Sequence, residues 1–249
     1  MSTNDHFRPV AREYALYRPS YPDALFAWLA GLSARTHLAW DCGAGSGQAS
    51  AGLAGHFERV VATDISAAQL AQAPRLSAVE YRVAAAEASG LESDAVDLVT
   101  VAQALHWFDL PRFYAEVRRV LRPDGALAAW SYGVLRLDDP ACDATLQTYY
   151  HDVVGPYWPA ERRHVETGYR DLPFPFDRLA APPFAMSVEW TLDDLVGYAR
   201  TWSATARYRD QCGTDPVPAL AASLAGAWGA PQSRRRIEWP LTLLVGRLS

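Results

Sequence analysis

Leu38-Ala39-Trp40-Asp41-Cys42-Gly43-Ala44-Gly45-Ser46-Gly47 is the stretch on which the reading of this 249-residue chain turns. A short apolar run ends in an acid, three glycines follow in G-x-G-x-G spacing, and Gln48-Ala49-Ser50-Ala51 continues as a helix would. This is strand, turn, helix. Glycines in such a turn let the backbone come close to a ligand and aim amide N–H groups at it. Taken alone, the pattern also fits an ordinary strand-to-helix turn. Two acids accompany it. Asp41 precedes the first glycine, where it can face an amino group, and Asp64 ends Val60-Val61-Ala62-Thr63-Asp64, where a carboxylate can accept both hydroxyls of a ribose. A dinucleotide needs G-x-G-x-x-G and its pyrophosphate at the helix N-terminus; this spacing fits a ligand with a zwitterionic tail instead.

Outward from the loop, short apolar runs alternate with amphipathic segments, the rhythm of βαβ units around a parallel sheet. Strands are predicted at 38–41, 60–63, 79–83, 96–101 and 126–130, and helices at 21–33, 47–56 and 111–121. Arg122-Pro123-Asp124-Gly125 reads as the turn that ends the third helix. The expected fold class is α/β: a Rossmann-like, doubly wound, mostly parallel sheet with an antiparallel edge strand at 236–248 and a C-terminal helical and irregular cap insertion. The expected organisation is a single domain, with 1–36 as a helical segment over the site, 37–131 as the cofactor-binding core, 132–184 as the cap and 185–249 completing the sheet. Within the cap, Pro156, Pro159, Pro173, Pro175, Pro182 and Pro183 make 155–184 an irregular lid over an opening. A strand at 186–190 and one helix, opened by a Thr191/Asp194 capping box and running towards Asp210, should follow.

Composition narrows the function classes. A formal net charge of −5 argues against a polyanion as the main partner, because phosphate neutralisation needs clustered cations. All 23 basic residues are arginine, which excludes a lysine Schiff base, a Walker lysine and a Tyr-x-x-x-Lys pair. The three cysteines are widely spaced, as in a reducing cytoplasm, and no His/Cys spacing suits zinc, so no metal is expected. No stretch approaches a membrane span and the N-terminus lacks a signal core, giving a cytoplasmic expectation.

At Asp41–Gly47 and Asp64 the chain resembles the class I S-adenosylmethionine-dependent methyltransferases, and the resemblance runs from Tyr14 to the C-terminus. It implies S-adenosyl-L-methionine as cofactor, with Asp41, Gly43, Ala44, Gly45 and Gly47 beside its methionine part and Asp64 on its ribose. Val83-Ala84-Ala85-Ala86-Glu87 corresponds to the motif that reads the adenine edge, through the Ala86 amide and the Glu87 carboxylate. Many relatives carry an aspartate where this chain has Ala85, and Glu87 reads equally as a solvated loop acid.

Gln103-Ala104-Leu105-His106-Trp107-Phe108-Asp109 follows the fourth strand, at the carboxyl edge where open α/β sheets bind ligands. This stretch, Tyr14-Ala15-Leu16-Tyr17-Arg18-Pro19, and 201–209 resemble a narrower subgroup that includes trans-aconitate and other small-acid methyltransferases. Position at the strand end makes Gln103 a candidate cofactor contact, and a side chain that titrates in the useful range makes His106 the catalytic candidate. In relatives the segment with Tyr14, Tyr17 and Arg18 folds over the site, so these and Trp107, which also reads as a cofactor wall, are the candidate acceptor contacts. Each has a plainer reading: a strand-end cap for Gln103, a hydrogen-bonded helix-start histidine for His106, packing for the aromatics. The implied activity is methyl transfer to a small molecule, with carboxylate O-methylation of an organic acid as the specific form. An alcohol, amine or carbon acceptor, a non-catalytic cofactor sensor and a nicotinamide oxidoreductase are the competing readings. Neither nucleic acid nor membrane is an expected partner, and oligomeric state is not legible.

Overall fold

A computed structural model describes residues 19–248; Tyr14, Tyr17 and Arg18 lie outside the described residues. Two compact units divide the chain. One takes Tyr21–Gly133, Arg163–Ala185 and the residues from Leu241 on; the other, within the described residues, takes 19–20, Val134–Arg162 and Met186–Pro240.

The first unit opens with α1 (Asp23–Ala30), β1 (Leu38–Cys42), α2 (Gln48–Leu53), β2 (Arg59–Asp64), α3 (Ala67–Leu70), β3 (Val79–Val83), β4 (Val96–Ala102), α4 (Leu110–Val120) and β5 (Leu121–Tyr132). The chain gives β6 (Arg136–Leu137) and α5 (Pro140–Thr148) to the second unit and returns through α6 (Arg162–Glu166) and β7 (Asp177–Arg178). It leaves again along β8 (Phe184–Trp190) for α7 (Leu192–Arg200), α8 (Ser203–Cys212) and α9 (Val217–Trp228), and ends in β9 (Arg235–Arg247), whose last residues belong to the first unit.

In the first unit the strand order β3-β2-β1-β4-β5 is parallel throughout, and β9 runs antiparallel to β5 from Tyr132↔Leu241 to Ala126↔Arg247. The architecture is the expected mixed α/β, Rossmann-like sheet with an antiparallel strand beside the parallel set. Central β1 is buried at all five positions, as a strand covered on both faces must be. Edge strand β3 (Val-Glu-Tyr-Arg-Val) instead mixes exposed and half-buried positions. On one face Phe113, Val117 and Val120 of α4 pack at helical spacing against Trp40, Val99, Leu127 and Ala129. Each such buried side chain contributes about 1.5–3 kcal/mol by leaving water. On the other face Tyr21 stands edge-on to Trp130, with ring centroids 5.5 Å apart.

Three details depart from the expectations. Arg122-Pro123-Asp124-Gly125 is not a turn between elements but a bulge inside β5, because Val96 pairs with Leu121 and Leu98 already pairs with Ala126. From Arg163 on, the proline-rich 155–184 stretch is built into the core instead of forming a loose lid: Val165, Tyr169 and Phe176 are buried against the α4 cluster. Tyr114 donates to the Pro173 carbonyl at 2.6 Å, and Arg118 lies over the Phe176 ring. Aromatic residues between prolines gave this stretch enough apolar surface to dock.

The single helix expected after Thr191 is two helices, α7 and α8. The capping box at Thr191 and Asp194 is present. The break falls at Trp202, whose extended backbone turns the ring into a cluster with Tyr149, Tyr150, Trp158 and Tyr198. α5 and α9 of this second unit lacked a clear periodic signal; they contact each other through partly apolar faces.

Candidate functional site

In the first unit the carboxyl ends of β1, β2 and β3 and the loop after β4 enclose a cavity of about 380 Å³, within the range of small-molecule sites. Gly43, Gly45, Asp64, Ala86, Glu87 and Trp107 are the expected site residues that line it. Asp41, Ala44, Gly47, Gln103 and His106 are not among its lining residues.

The glycine loop is held by backbone geometry. Gly43 and Gly45 have φ of +70° and +55°, conformations that side chains strain to adopt. A Cβ on Gly43 would lie 2.7 Å from that of Ala104, so the loop after β4 packs directly on the backbone there. A Cβ on Gly45 would meet nothing within 4 Å: it would project into open space at the cavity.

Asp64 braces this loop. Its Oδ2 accepts from the Gly45 N–H at 2.9 Å and its Oδ1 from the Ser66 N–H at 2.8 Å. Each carboxylate oxygen keeps a second lone pair. Glu87 does similar work on the opposite wall, where its Oε1 accepts from the Asp109 N–H at 2.9 Å and holds the start of α4. Between these anchors the short 3-10 turn Leu105–Trp107 carries His106 and Trp107, whose rings lie 4.7 Å apart. Leu105 is fully buried and pins the turn, while Trp107 is 65% exposed and Ile65 77% exposed on the cavity wall.

Asp41 sits beneath the loop, not in the cavity. It is fully buried; its Oδ2 accepts from Ser50 at 2.5 Å and its Oδ1 from Thr100 at 3.0 Å. Burial pushes its carboxyl up to about 6, against the lowering effect of those two hydroxyls. Gln103, at φ +59°, donates its side-chain amide to the Tyr132 carbonyl at 3.0 Å, tying the end of β4 to the end of β5. His106 Nδ1 lies 3.2 Å from the Tyr169 hydroxyl. Burial raises the Cys42 thiol well above its ordinary range, leaving it a packing residue.

Comparison with known proteins fits this geometry. Residues 40–129 match a family model described as a methyltransferase domain. A Dictyostelium discoideum protein described as a methyltransferase is 34% identical over 98% of this chain and 95% of its own. A solved structure described as a type II methyltransferase, from Anaeromyxobacter dehalogenans, is 49% identical and superposes with a TM-score of 0.89 over 93% of this chain and 98% of that one. The chain belongs to the class I S-adenosylmethionine-dependent methyltransferases. An uncharacterised Mycobacterium tuberculosis methyltransferase is 41% identical over 49% of each chain.

The cavity of this methyltransferase suits S-adenosylmethionine and opposes a dinucleotide. Among the described residues that line it are two carboxylates, Asp64 and Glu87, and no arginine. A pyrophosphate there would be repelled, whereas a cationic nucleoside with ribose hydroxyls is attracted. Ile65 and Trp107 give the cavity wall exposed apolar surface. Among the described residues, no helix is long and apolar enough to cross a membrane.

Ile65, Ser66, Gln69, Ala84, Ala104 and Phe108 line the cavity without having been singled out in the sequence. Each lies within five residues of a motif position, so the rule that ligands sit at the carboxyl ends of parallel strands is the signal that finds them. Tyr169, 63 residues from His106, carried no such signal.

Proposed function

We propose that this methyltransferase acts on a small organic acid and methylates its carboxylate oxygen, as the resemblance of Gln103–Trp107 to the small-acid subgroup implies. The observation that carries the reading is the 3-10 turn Leu105–Trp107, which puts Trp107 on the cavity wall with the His106 ring tilted against it, centroids 4.7 Å apart. In this reading Gly43 and Gly45 border the methionine part of the cofactor, Asp64 accepts from the ribose, and the Ala86 amide and Glu87 carboxylate read the adenine edge. Trp107 walls the base or the acceptor. Asp41, Ala44, Gly47 and Gln103 serve by supporting the loop and the strand ends.

When bound, S-adenosylmethionine supplies an electrophilic methyl group on a sulfonium, so the reactivity is the cofactor's own. The chain's task is to exclude water and hold a nucleophile in line, a service worth several kcal/mol of barrier. A carboxylate is already ionised near neutral pH and needs no base. His106 then orients an acceptor oxygen instead of removing a proton.

A panel of small carboxylic acids, phenols and amines, incubated with the protein and methyl-labelled cofactor, tests the proposal. Label in a base-labile methyl ester is the expected result. Label on nitrogen, carbon or a hydroxyl oxygen ends the carboxylate reading and leaves the family assignment intact.

A further inference from the structure

We propose that Tyr169 is a positioning residue that fixes His106 in the tautomer carrying its proton on Nε2. The tautomer stands on the geometry of these two residues; its consequence for the acceptor rests on the proposed function above.

Tyr169 is fully buried within the α4 cluster, yet its backbone has φ +60°, and Gly168 before it has φ +61°. A side chain in this conformation costs on the order of 1 kcal/mol, and such strain persists where neighbouring structure demands it. Here the neighbour is β9. A Cβ on Gly168 would lie 2.5 Å from Thr242 Cγ2, so the loop is pressed onto that strand, and the Tyr169 N–H closes it on the His164 carbonyl at 2.8 Å. The outcome places the phenol oxygen 3.2 Å from His106 Nδ1, with ring centroids 5.8 Å apart. Phenylalanine would fill the same apolar site without burying a hydroxyl, which costs free energy unless it is bonded.

A phenol O–H is a better donor than a neutral imidazole N–H, and an unprotonated imidazole nitrogen is a better acceptor than a phenol oxygen. Tyr169 therefore donates to Nδ1, and the ring proton resides on Nε2. In this form Nε2–H donates a hydrogen bond and accepts no proton. Towards a carboxylate acceptor it is an orienting donor, matched to a reaction in which no proton leaves.

Nitrogen-15 NMR of the histidine rings reads the tautomer directly, in cofactor-free protein with His106→Gln used to assign His106 among the six histidines. The expected wild-type signature is Nε2–H, and in Tyr169→Phe the two ring nitrogens should move towards a mixed population. An Nδ1–H wild-type ring, or a ring unaltered in Tyr169→Phe, overturns the proposal; if the variant does not fold, a wild-type His106 ring no more biased to Nε2–H than the histidines of the urea-unfolded chain overturns it. With an acceptor in hand, Tyr169→Phe should raise its KM roughly two- to ten-fold, the worth of one hydrogen bond, with kcat nearly unchanged. A product methylated elsewhere than on a carboxylate removes the acceptor reading and leaves the tautomer result standing.

Discussion

Asp64 and Gly45 are joined by a 2.9 Å hydrogen bond from the glycine N–H to Oδ2, so the acid that ends the second strand holds the loop that follows the first. In the proposed reading, loop shape and ribose recognition therefore meet in one carboxylate. Asp64→Ala is expected to weaken S-adenosylmethionine binding by about 1.5–3 kcal/mol through lost ribose hydrogen bonds. It should also lower stability by roughly 1–2 kcal/mol, since the Gly45 and Ser66 N–H groups lose their acceptor. Calorimetric titration and urea denaturation read the two effects separately; full affinity in a folded variant would remove Asp64 from the site.

The two glycines nearest the cavity should fail differently when replaced. Gly45→Ala meets only backbone strain, roughly 1 kcal/mol, because nothing lies within 4 Å of the new methyl. Its cost should appear in cofactor affinity. Gly43→Ala adds a collision with Ala104 at 2.7 Å, worth a further 1–3 kcal/mol or so of stability. Denaturation midpoints that rank the variants the other way round would contradict the loop geometry.

Asp41 makes stability depend on pH in an unusual direction. Its folded carboxyl, raised by burial to about 6 from an ordinary 3.8, binds a proton more tightly than the unfolded chain does. The native state holds more protons between these values, so this group's contribution falls as pH rises from about 4 to about 6 and stays low above that. Up to roughly 2–3 kcal/mol is involved. Asp41→Asn, which keeps partners for Ser50 and Thr100, should therefore gain stability relative to wild type as pH increases across that window. Urea midpoints at pH 4.5 and pH 7.5 for both proteins check this; a parallel shift at the two pH values would show that Asp41 does not titrate there.

Trp107 offers a large apolar ring to the cavity while remaining 65% exposed. Trp107→Ala should leave the unfolding free energy within about 0.5 kcal/mol of wild type, as surface substitutions do. Ligand affinity should drop by about 1–2 kcal/mol through lost stacking. Unaltered binding of both cofactor and acceptor would reduce Trp107 to a packing residue of the turn.

The βαβ rhythm was legible because parallel strands buried on both faces are nearly continuous apolar runs: Leu38–Cys42 and Val96–Ala102 announce themselves. The bulge in β5 was not, since Arg-Pro-Asp-Gly has turn chemistry and only pairing with β4 makes it strand. The break at Trp202 escaped for a related reason: it follows from rings that meet from the turn after α5, from α7 and from the α7–α8 junction.

By itself the sequence determined the sheet, its glycine loop and the acids beside it, because these depend on local backbone needs and on strand ends that recur in chain order. Tertiary structure alone decided that Asp41 is a buried carboxyl under the loop while Asp64 reaches the cavity. It also decided that Tyr169, buried in the α4 cluster, meets His106. Local propensity encodes what a residue does with its neighbours in sequence. Burial, desolvation and contacts between residues 63 positions apart exist only once the chain has closed on itself.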